Sequence, residues 1–164
     1  MALQSKMTVY AAVVGVLALM GGIIYYASLD NVDLEQVEIK LTNVELRDIS
    51  PINNQAKFDV TFLVKNPTDK TFTVSVIKYK LYGDGIFLGS GIYSTADIPL
   101  PGRVLFSSGA EIPLKNTFVL SKEDINSEIY EKMIDNKITS FSAEGSVTTQ
   151  SSWSETQKEF KTGY

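Results

Sequence analysis

The chain has 164 residues, a formal net charge of −4 at pH 7 and a hydrophobic fraction of 44%. These values are typical of one folded domain with a short appendage, and they exclude a disordered chain. Basic residues form no block, so the electrostatic footprint of a nucleic-acid-binding protein is missing.

The chain contains no cysteine and no histidine. Disulfides, thiolate nucleophiles and zinc sites of the usual kind are therefore excluded, and so is the commonest general base at neutral pH. The spacing of the 19 acidic residues singles out no acid–base pair. We therefore predict no enzymatic activity, no cofactor and no metal site, and the sequence indicates no small-molecule substrate.

The first predicted element is an uncharged, apolar segment at residues 8–29. About 22 residues are enough to cross the hydrocarbon core of a bilayer as a helix. Tyr25 and Tyr26 lie near its end, where aromatic rings favour the interface. A cleaved signal peptide is the alternative, although its apolar region is normally shorter, about 7–15 residues. The predicted organisation is a cytoplasmic tail at 1–7, a transmembrane helix at 8–29, a linker at 30–36 and a β-domain at 37–164.

The charges beside this segment predict its orientation, because basic flanks stay in the cytoplasm. Lys6 precedes the segment, whereas the first basic residue after it is Lys40, which follows four acids. We expect a single-pass protein with a cytoplasmic N-terminus and an extracytoplasmic β-domain.

From residue 37 the apolar residues recur with period two, which is typical of strands. Phe58, Val60, Phe62 and Val64 form the clearest apolar face, and we expect them to point into a core. In residues 72–81 the phase of the alternation shifts, which indicates a β-bulge or a strand that crosses between sheets. Gly83, Asp84 and Gly85 predict a tight hairpin turn.

Further strands are predicted at residues 86–93 and 104–114, and two more polar strands at 138–149 and 153–160 form an edge hairpin. One helix is predicted at 121–135, with Ser121 as its N-cap and Asn136 as its left-handed stop. The predicted fold is all-β: a fibronectin-III- or Ig-like antiparallel β-sandwich of about seven strands with one helix, preceded by the transmembrane helix.

Residues 58–103 resemble the water-stress-and-hypersensitive-response (WHy) domain of the late embryogenesis abundant, LEA-14-like desiccation-related family. The resemblance rests on an ordered set of motifs and covers most of residues 37–160. Its members here are Asn66-Pro67, Tyr79-x-Leu81-Tyr82, Gly83-Asp84-Gly85, Leu88-Gly89-Ser90-Gly91, and Pro99 and Pro101. Thr68 departs from the family, since many members carry a second asparagine there. The resemblance implies a fibronectin-III-like sandwich without known catalytic residues, associated with protection under water stress and often membrane-anchored in prokaryotes.

These motif residues admit two interpretations. Asn66 and Pro67 form either a binding loop or a strand end whose asparagine caps nearby backbone groups, and we favour the strand end. We interpret the motif glycines Gly83, Gly85, Gly89 and Gly91, and Pro99, as structural. Trp153 is either a contact for a partner or a lid over the end of the sandwich.

The sequence favours a membrane-anchored, non-catalytic module that protects or binds envelope proteins or lipid. A subunit of a pilin-like surface filament is the alternative, because archaeal pilins also join a hydrophobic helix to a β-sandwich. Met7 speaks against it, since a pilin processing site has a small residue after the lysine.

Overall fold

The computed structural model describes residues 6–96, 102–151 and 154–164. Within these ranges the chain forms two helices and eight strands. In chain order they are α1 Lys6–Leu34, β1 Glu38–Ser50, β2 Gln55–Lys65, β3 Phe72–Gly83, β4 Ile86–Ser94, β5 Leu105–Phe106, β6 Glu111–Ser121, α2 Ser127–Ile134, β7 Phe141–Gln150 and β8 Glu155–Gly163.

Helix α1 is long and apolar enough to cross a membrane. Every residue from Lys6 to Tyr26 is exposed, so this part of the helix contributes nothing to a protein core. The helix continues to Leu34, through most of the predicted linker. Glu35 and Gln36 form a short turn, and the next residue, Val37, is completely buried in the domain.

The strands form two antiparallel sheets, as the period-two pattern predicted. The first sheet has the order β1-β2-β6, and the second has the order β4-β3-β7-β8 with β5 paired to β3. The prediction of an all-β sandwich is confirmed. The polar strands β7 and β8 differ from the prediction in one respect: β8 is an edge strand, but β7 lies inside the sheet between β3 and β8.

The core lies between the two sheets, and the clearest predicted face contributes to it as expected. Phe58, Val60, Phe62 and Val64 are at most 2% exposed. The ring of Phe62 packs edge-to-face on Tyr79, with 4.9 Å between ring centroids. Burying a phenylalanine of this kind stabilises the fold by about 1.5–3 kcal/mol.

Of the two predicted explanations for the phase shift in β3, the structure shows the β-bulge. Val74 pairs with Thr149 and Val76 pairs with Thr148, so Ser75 is the extra residue. The extra residue returns the following apolar side chains to the core, and Ile77 is completely buried.

The predicted strand at residues 104–114 is wrong, because the chain turns between β5 and β6. Asn66 holds this turn: its N–H donates to the carbonyl of Ala110, and its carbonyl accepts from the N–H of Gly109, both at 2.9 Å. Gly109 has a φ of +71°, which glycine adopts without strain.

The predicted start of the second helix is also wrong. Ser121 is the last residue of β6, where it pairs with Gln55. The N-cap of α2 is Asn126, whose side chain accepts a hydrogen bond from the N–H of Glu128 at 2.9 Å. Asn136 has a φ of +55°, so the predicted left-handed stop is confirmed.

Candidate functional site

The Asn66 side chain is fully buried at the end of β2. Its nitrogen donates hydrogen bonds to three carbonyl oxygens: Lys70 at 2.6 Å, Phe106 at 2.9 Å and Ser107 at 3.1 Å. Its oxygen accepts from the N–H of Thr68 at 3.0 Å and from its hydroxyl at 2.8 Å. An amide has two donor hydrogens and two acceptor positions, so this side chain has no capacity left for a ligand.

Asn66 therefore ties the β2–β3 connection to the β5–β6 connection, and Thr68 completes the bonding. Pro67 is exposed beside it. Proline has no N–H to continue the ladder with a neighbouring strand, so β2 ends there.

The turn between β3 and β4 contains a second network. Asp84 and Gly85 are its two central residues, with φ values of +48° and +80°. One carboxylate oxygen of Asp84 accepts hydrogen bonds from the N–H groups and hydroxyls of Thr139 and Ser140, over distances of 2.8–3.2 Å. These bonds, the Thr139 hydroxyl first, lower the pKa of Asp84. The network fixes the α2–β7 connection to the hairpin and engages the Asp84 carboxylate within the chain.

Of the motif glycines, Gly83 and Gly89 occupy positions of close approach, whereas Gly85 has open space around it and serves the turn through its positive φ. A Cβ on Gly83 would lie 3.1 Å from the side chain of Ile138, and one on Gly89 would lie 3.0 Å from the ring of Phe118. Gly89 follows a second bulge, since the β3–β4 register skips Leu88. Gly89 therefore lets β4 and the other sheet pack closely, and Gly83 lets the α2–β7 connection approach the hairpin.

Tyr79 is the central residue of a row that the sequence did not reveal. It lies opposite Gly91 on β4 and Gly145 on β7. A Cβ on Gly91 would overlap the tyrosine ring, and one on Gly145 would overlap the backbone of Lys78. Asn116, on the other sheet, donates a hydrogen bond to the Tyr79 hydroxyl at 2.9 Å, and burial raises the pKa of this tyrosine.

A cleft of about 710 Å³ lies on the second sheet. Its solvent-facing rim carries both charge signs, and we call it the outer-face cleft. Among its lining residues are Lys78, Lys80, Ser90, Ile92, Glu144, Glu159 and Lys161. At its edge, the Tyr82 hydroxyl donates to Glu144 at 2.7 Å, and Lys161 lies 3.5 Å from the same carboxylate. The Tyr82 bond, more than the nearby lysines, lowers the pKa of Glu144.

The geometry of the described residues, in the cleft or elsewhere, identifies no catalytic group. Among residues 6–96, 102–151 and 154–164, no three acidic side chains converge to hold a metal ion. On the surface of α2, Glu128 and Lys132 form an ion pair at 2.8 Å. Pro99 and Trp153 lie outside the described residues.

Comparisons with known proteins establish the fold alone. No family model and no curated protein matches the chain. The solution structure of AT1g01470 from Arabidopsis thaliana is similar at 16% identity and a TM-score of 0.54, over 77% of this chain and 78% of that one.

Two further solved structures are similar at lower TM-scores. A protein from Archaeoglobus fulgidus has a TM-score of 0.45 and 13% identity, over 76% of this chain and 96% of that one. A candidate late embryogenesis abundant protein, At2g46140.1, has a TM-score of 0.43 and 14% identity, over 98% and 87%.

Proposed function

We propose that this protein is a membrane-anchored, non-catalytic β-sandwich that protects proteins or lipid of the cell envelope when water is lost. One observation carries the proposal: an apolar helix without a buried residue between Lys6 and Tyr26 is joined by two residues to a sandwich with its own core. A helix that is apolar on all sides requires either a protein core or a bilayer around it. In the described structure the sandwich does not provide that core.

The proposed orientation places the N-terminus in the cytoplasm and the sandwich outside it. Lys6 stands before the helix, and the domain side begins with acidic residues up to Lys40. The bias of basic residues favours this direction of insertion.

The protective role has two supports of different kind. The sequence of residues 58–103 resembles the WHy domain, and that family is associated with water stress. The sandwich also places its motif residues in structural positions, since the Asn66 amide and the Asp84 carboxylate are both engaged within the chain. The proposed action therefore uses the surface of the sandwich and involves no reacting group.

A drying assay tests this function. The full chain in lipid nanodiscs is mixed with lactate dehydrogenase, dried and rehydrated, and the remaining dehydrogenase activity is measured. The matched control is a nanodisc that carries α1 joined to an unrelated fibronectin type III domain. We expect more activity to survive with the full chain at equimolar amounts. Equal survival with the control would contradict a protective role.

A further inference from the structure

Strand β4 differs from the other edge strands in its charge. Its sequence, Ile86–Ser94, contains no Lys, Arg, Asp or Glu, whereas the edge strands β1, β6 and β8 each contain at least one Lys or Arg and one acid. β6 also contains Pro113. Charges, proline and bulges on an edge strand hinder pairing with other chains. β4 has neither charge nor proline, and its bulge at Leu88 leaves residues 89–94 in regular register.

The free edge of β4 has no backbone partner in the described structure. β4 is the end strand of the second sheet, and within residues 6–96, 102–151 and 154–164 its only paired strand is β3. Alternate residues of an edge strand direct N–H and C=O groups away from the sheet, about four residues in a strand of this length. The extended backbone of another peptide segment can form hydrogen bonds with these unpaired N–H and C=O groups.

The side chains of β4 favour an apolar segment. Phe87 and Ile92 are 49% and 61% exposed. They lie on the solvent-facing side of the sheet, because they pair with Tyr82 and Lys78, whose polar groups face that side. The residue between them on this side is the small Ser90, since the Cβ positions of Gly89 and Gly91 point toward the core. A strand beside β4 would cover both apolar side chains.

The charges next to β4 favour an occupant with acidic side chains. Lys78 lies opposite Ile92, and Lys80 lies opposite Ser90, both on the rim of the outer-face cleft. The acids of the same cleft are farther from β4, since Glu144 is on β7 and Glu159 is on β8. Both lysine side chains are on exposed residues. An occupant with an acidic side chain between its apolar ones would therefore complement this surface better than a basic one.

A second copy of this chain fits the edge less well than a client segment does. Ser94 of β4 lies at the same end of the sandwich as Lys65 and the α1 junction at Val37, since Glu38 pairs with Lys65. Antiparallel pairing of two β4 strands would turn one sandwich end for end, and the two α1 helices would then leave in opposite directions. A single bilayer does not accommodate that arrangement.

We propose that β4 is a site of β-strand addition, where an extended, apolar and mildly acidic segment of an unfolded client pairs with residues 86–94. Main-chain hydrogen bonds would provide the affinity, so the site accepts many sequences. This proposal rests on the proposed protective function and specifies how a client is held.

Hydrogen–deuterium exchange tests the site directly. The full chain in nanodiscs is measured with and without reduced, carboxymethylated α-lactalbumin, an acidic polypeptide that stays unfolded because its thiols are blocked. We expect amide exchange in residues 86–94 to slow when the probe is bound, with exchange in β1 and β8 unchanged. Bound probe without slower exchange in β4, or no bound probe, would overturn strand addition. Slowing of β4 exchange with rising chain density and no probe would assign the edge to self-pairing and overturn it as well.

A pair of variants provides the second readout. Ile92→Lys places a charge on the edge of β4, and Val119→Lys places the same charge on an exposed β-branched residue of β6. We expect Ile92→Lys to weaken probe binding about tenfold, and Val119→Lys to leave it within about twofold. Equal weakening by both variants would overturn the assignment to β4. Circular dichroism confirms that each variant is folded.

The two proposals fail separately. A chain that slows exchange in β4 with the probe but does not preserve the dehydrogenase through drying would retain strand addition and refute the protective function. A chain that preserves the dehydrogenase with unchanged β4 exchange would retain the function and refute strand addition.

Discussion

The ring of Tyr79 lies across Gly91 on the neighbouring strand and occupies the space that a side chain would take there. The ring is fixed on two further sides, by Phe62 at 4.9 Å between centroids and by the hydrogen bond from Asn116. Since Asn116 belongs to the other sheet, this tyrosine joins the two layers. Glycine beneath an aromatic ring also compensates for the weak strand propensity of glycine itself.

A methyl group at Gly91 should destabilise the sandwich. Gly91→Ala forces the Tyr79 ring out of a position held by its packing and its hydrogen bond, and we expect a loss of about 1–3 kcal/mol in the free energy of unfolding. Urea unfolding of the full chain in mild detergent, followed by circular dichroism, measures it. Ser90→Ala on the exposed neighbour is the control, with a change within about 0.5 kcal/mol. Unchanged stability in Gly91→Ala would show that the ring moves freely.

Removing the Tyr79 hydroxyl isolates the bond between the sheets. Tyr79→Phe keeps the ring and deletes the acceptor of the Asn116 amide, so we expect a loss of about 1 kcal/mol. A double-mutant cycle with Asn116→Ala should recover most of this as coupling energy. Tyr93→Phe, at a partly buried tyrosine on β4, is the matched control. Additive effects of the two substitutions would contradict a direct interaction.

Asn66→Ala should be among the most damaging single substitutions. It leaves three carbonyls of two connections and the Thr68 hydroxyl without their partner in a buried site. Each unsatisfied buried group costs about 1–3 kcal/mol, so we expect a loss of at least about 3 kcal/mol. Asn53→Ala, at the exposed β1–β2 hairpin, should change stability by less than about 0.5 kcal/mol. Similar losses in the two variants would show that water replaces the amide.

Asp84→Asn should make the free energy of unfolding less dependent on pH under acidic conditions. The hydrogen bonds from Thr139 and Ser140 lower the pKa of Asp84 in the folded state relative to the unfolded state. The stabilisation is therefore fully present above the ordinary aspartate pKa of about 3.9, and it is lost as the pH falls through the lowered value.

Asparagine retains an acceptor oxygen and tolerates the positive φ of this turn. We expect wild type to be the more stable at neutral pH, and the difference from Asp84→Asn to shrink below about pH 4. Urea unfolding across this pH range measures the difference. A difference that stays constant would mean that the charge of Asp84 does not contribute.

Protease accessibility tests the proposed orientation. Proteinase K added to intact cells, or to spheroplasts where a wall is present, should digest the sandwich while a cytoplasmic marker protein survives. Protection of the sandwich until the membrane is lysed would place it in the cytoplasm. The protective function would then have to concern cytoplasmic clients.

Sequence patterns over a few neighbouring residues were enough to predict several strands, one bulge and one turn. The alternation in β2, the bulge at Ser75 and the two-residue turn at Asp84 and Gly85 follow from side-chain period and backbone conformation. The start of α2 was wrong because Ser121 is a good cap by type, but pairing with Gln55 keeps it in β6. Tertiary pairing there overrides a local capping preference.

The contacts that define the candidate sites could not be predicted from the sequence, for a different reason. Asn116 meets Tyr79 across 37 residues of sequence, and Thr139 meets Asp84 across 55. The polar residue types do not indicate which partner they will meet, because the packing of the two sheets decides it. The exposed edge of β4 was equally hidden, since strand order is not contained in strand pattern.

Helix α1 continues without a break almost to the first buried residue of the sandwich, and this makes it a stalk. Its 29 residues span about 43 Å, whereas the hydrocarbon core of a bilayer is about 30 Å thick. A flexible linker of seven residues would let the sandwich move over roughly 14 Å. A helical connection instead restricts both the distance of the sandwich from the bilayer and its orientation. Each residue inserted into the stalk turns the sandwich by about 100° around the helix axis. In the proposed membrane-anchored protein, the direction in which β4 faces along the membrane surface therefore depends on the number of residues between the bilayer and Val37.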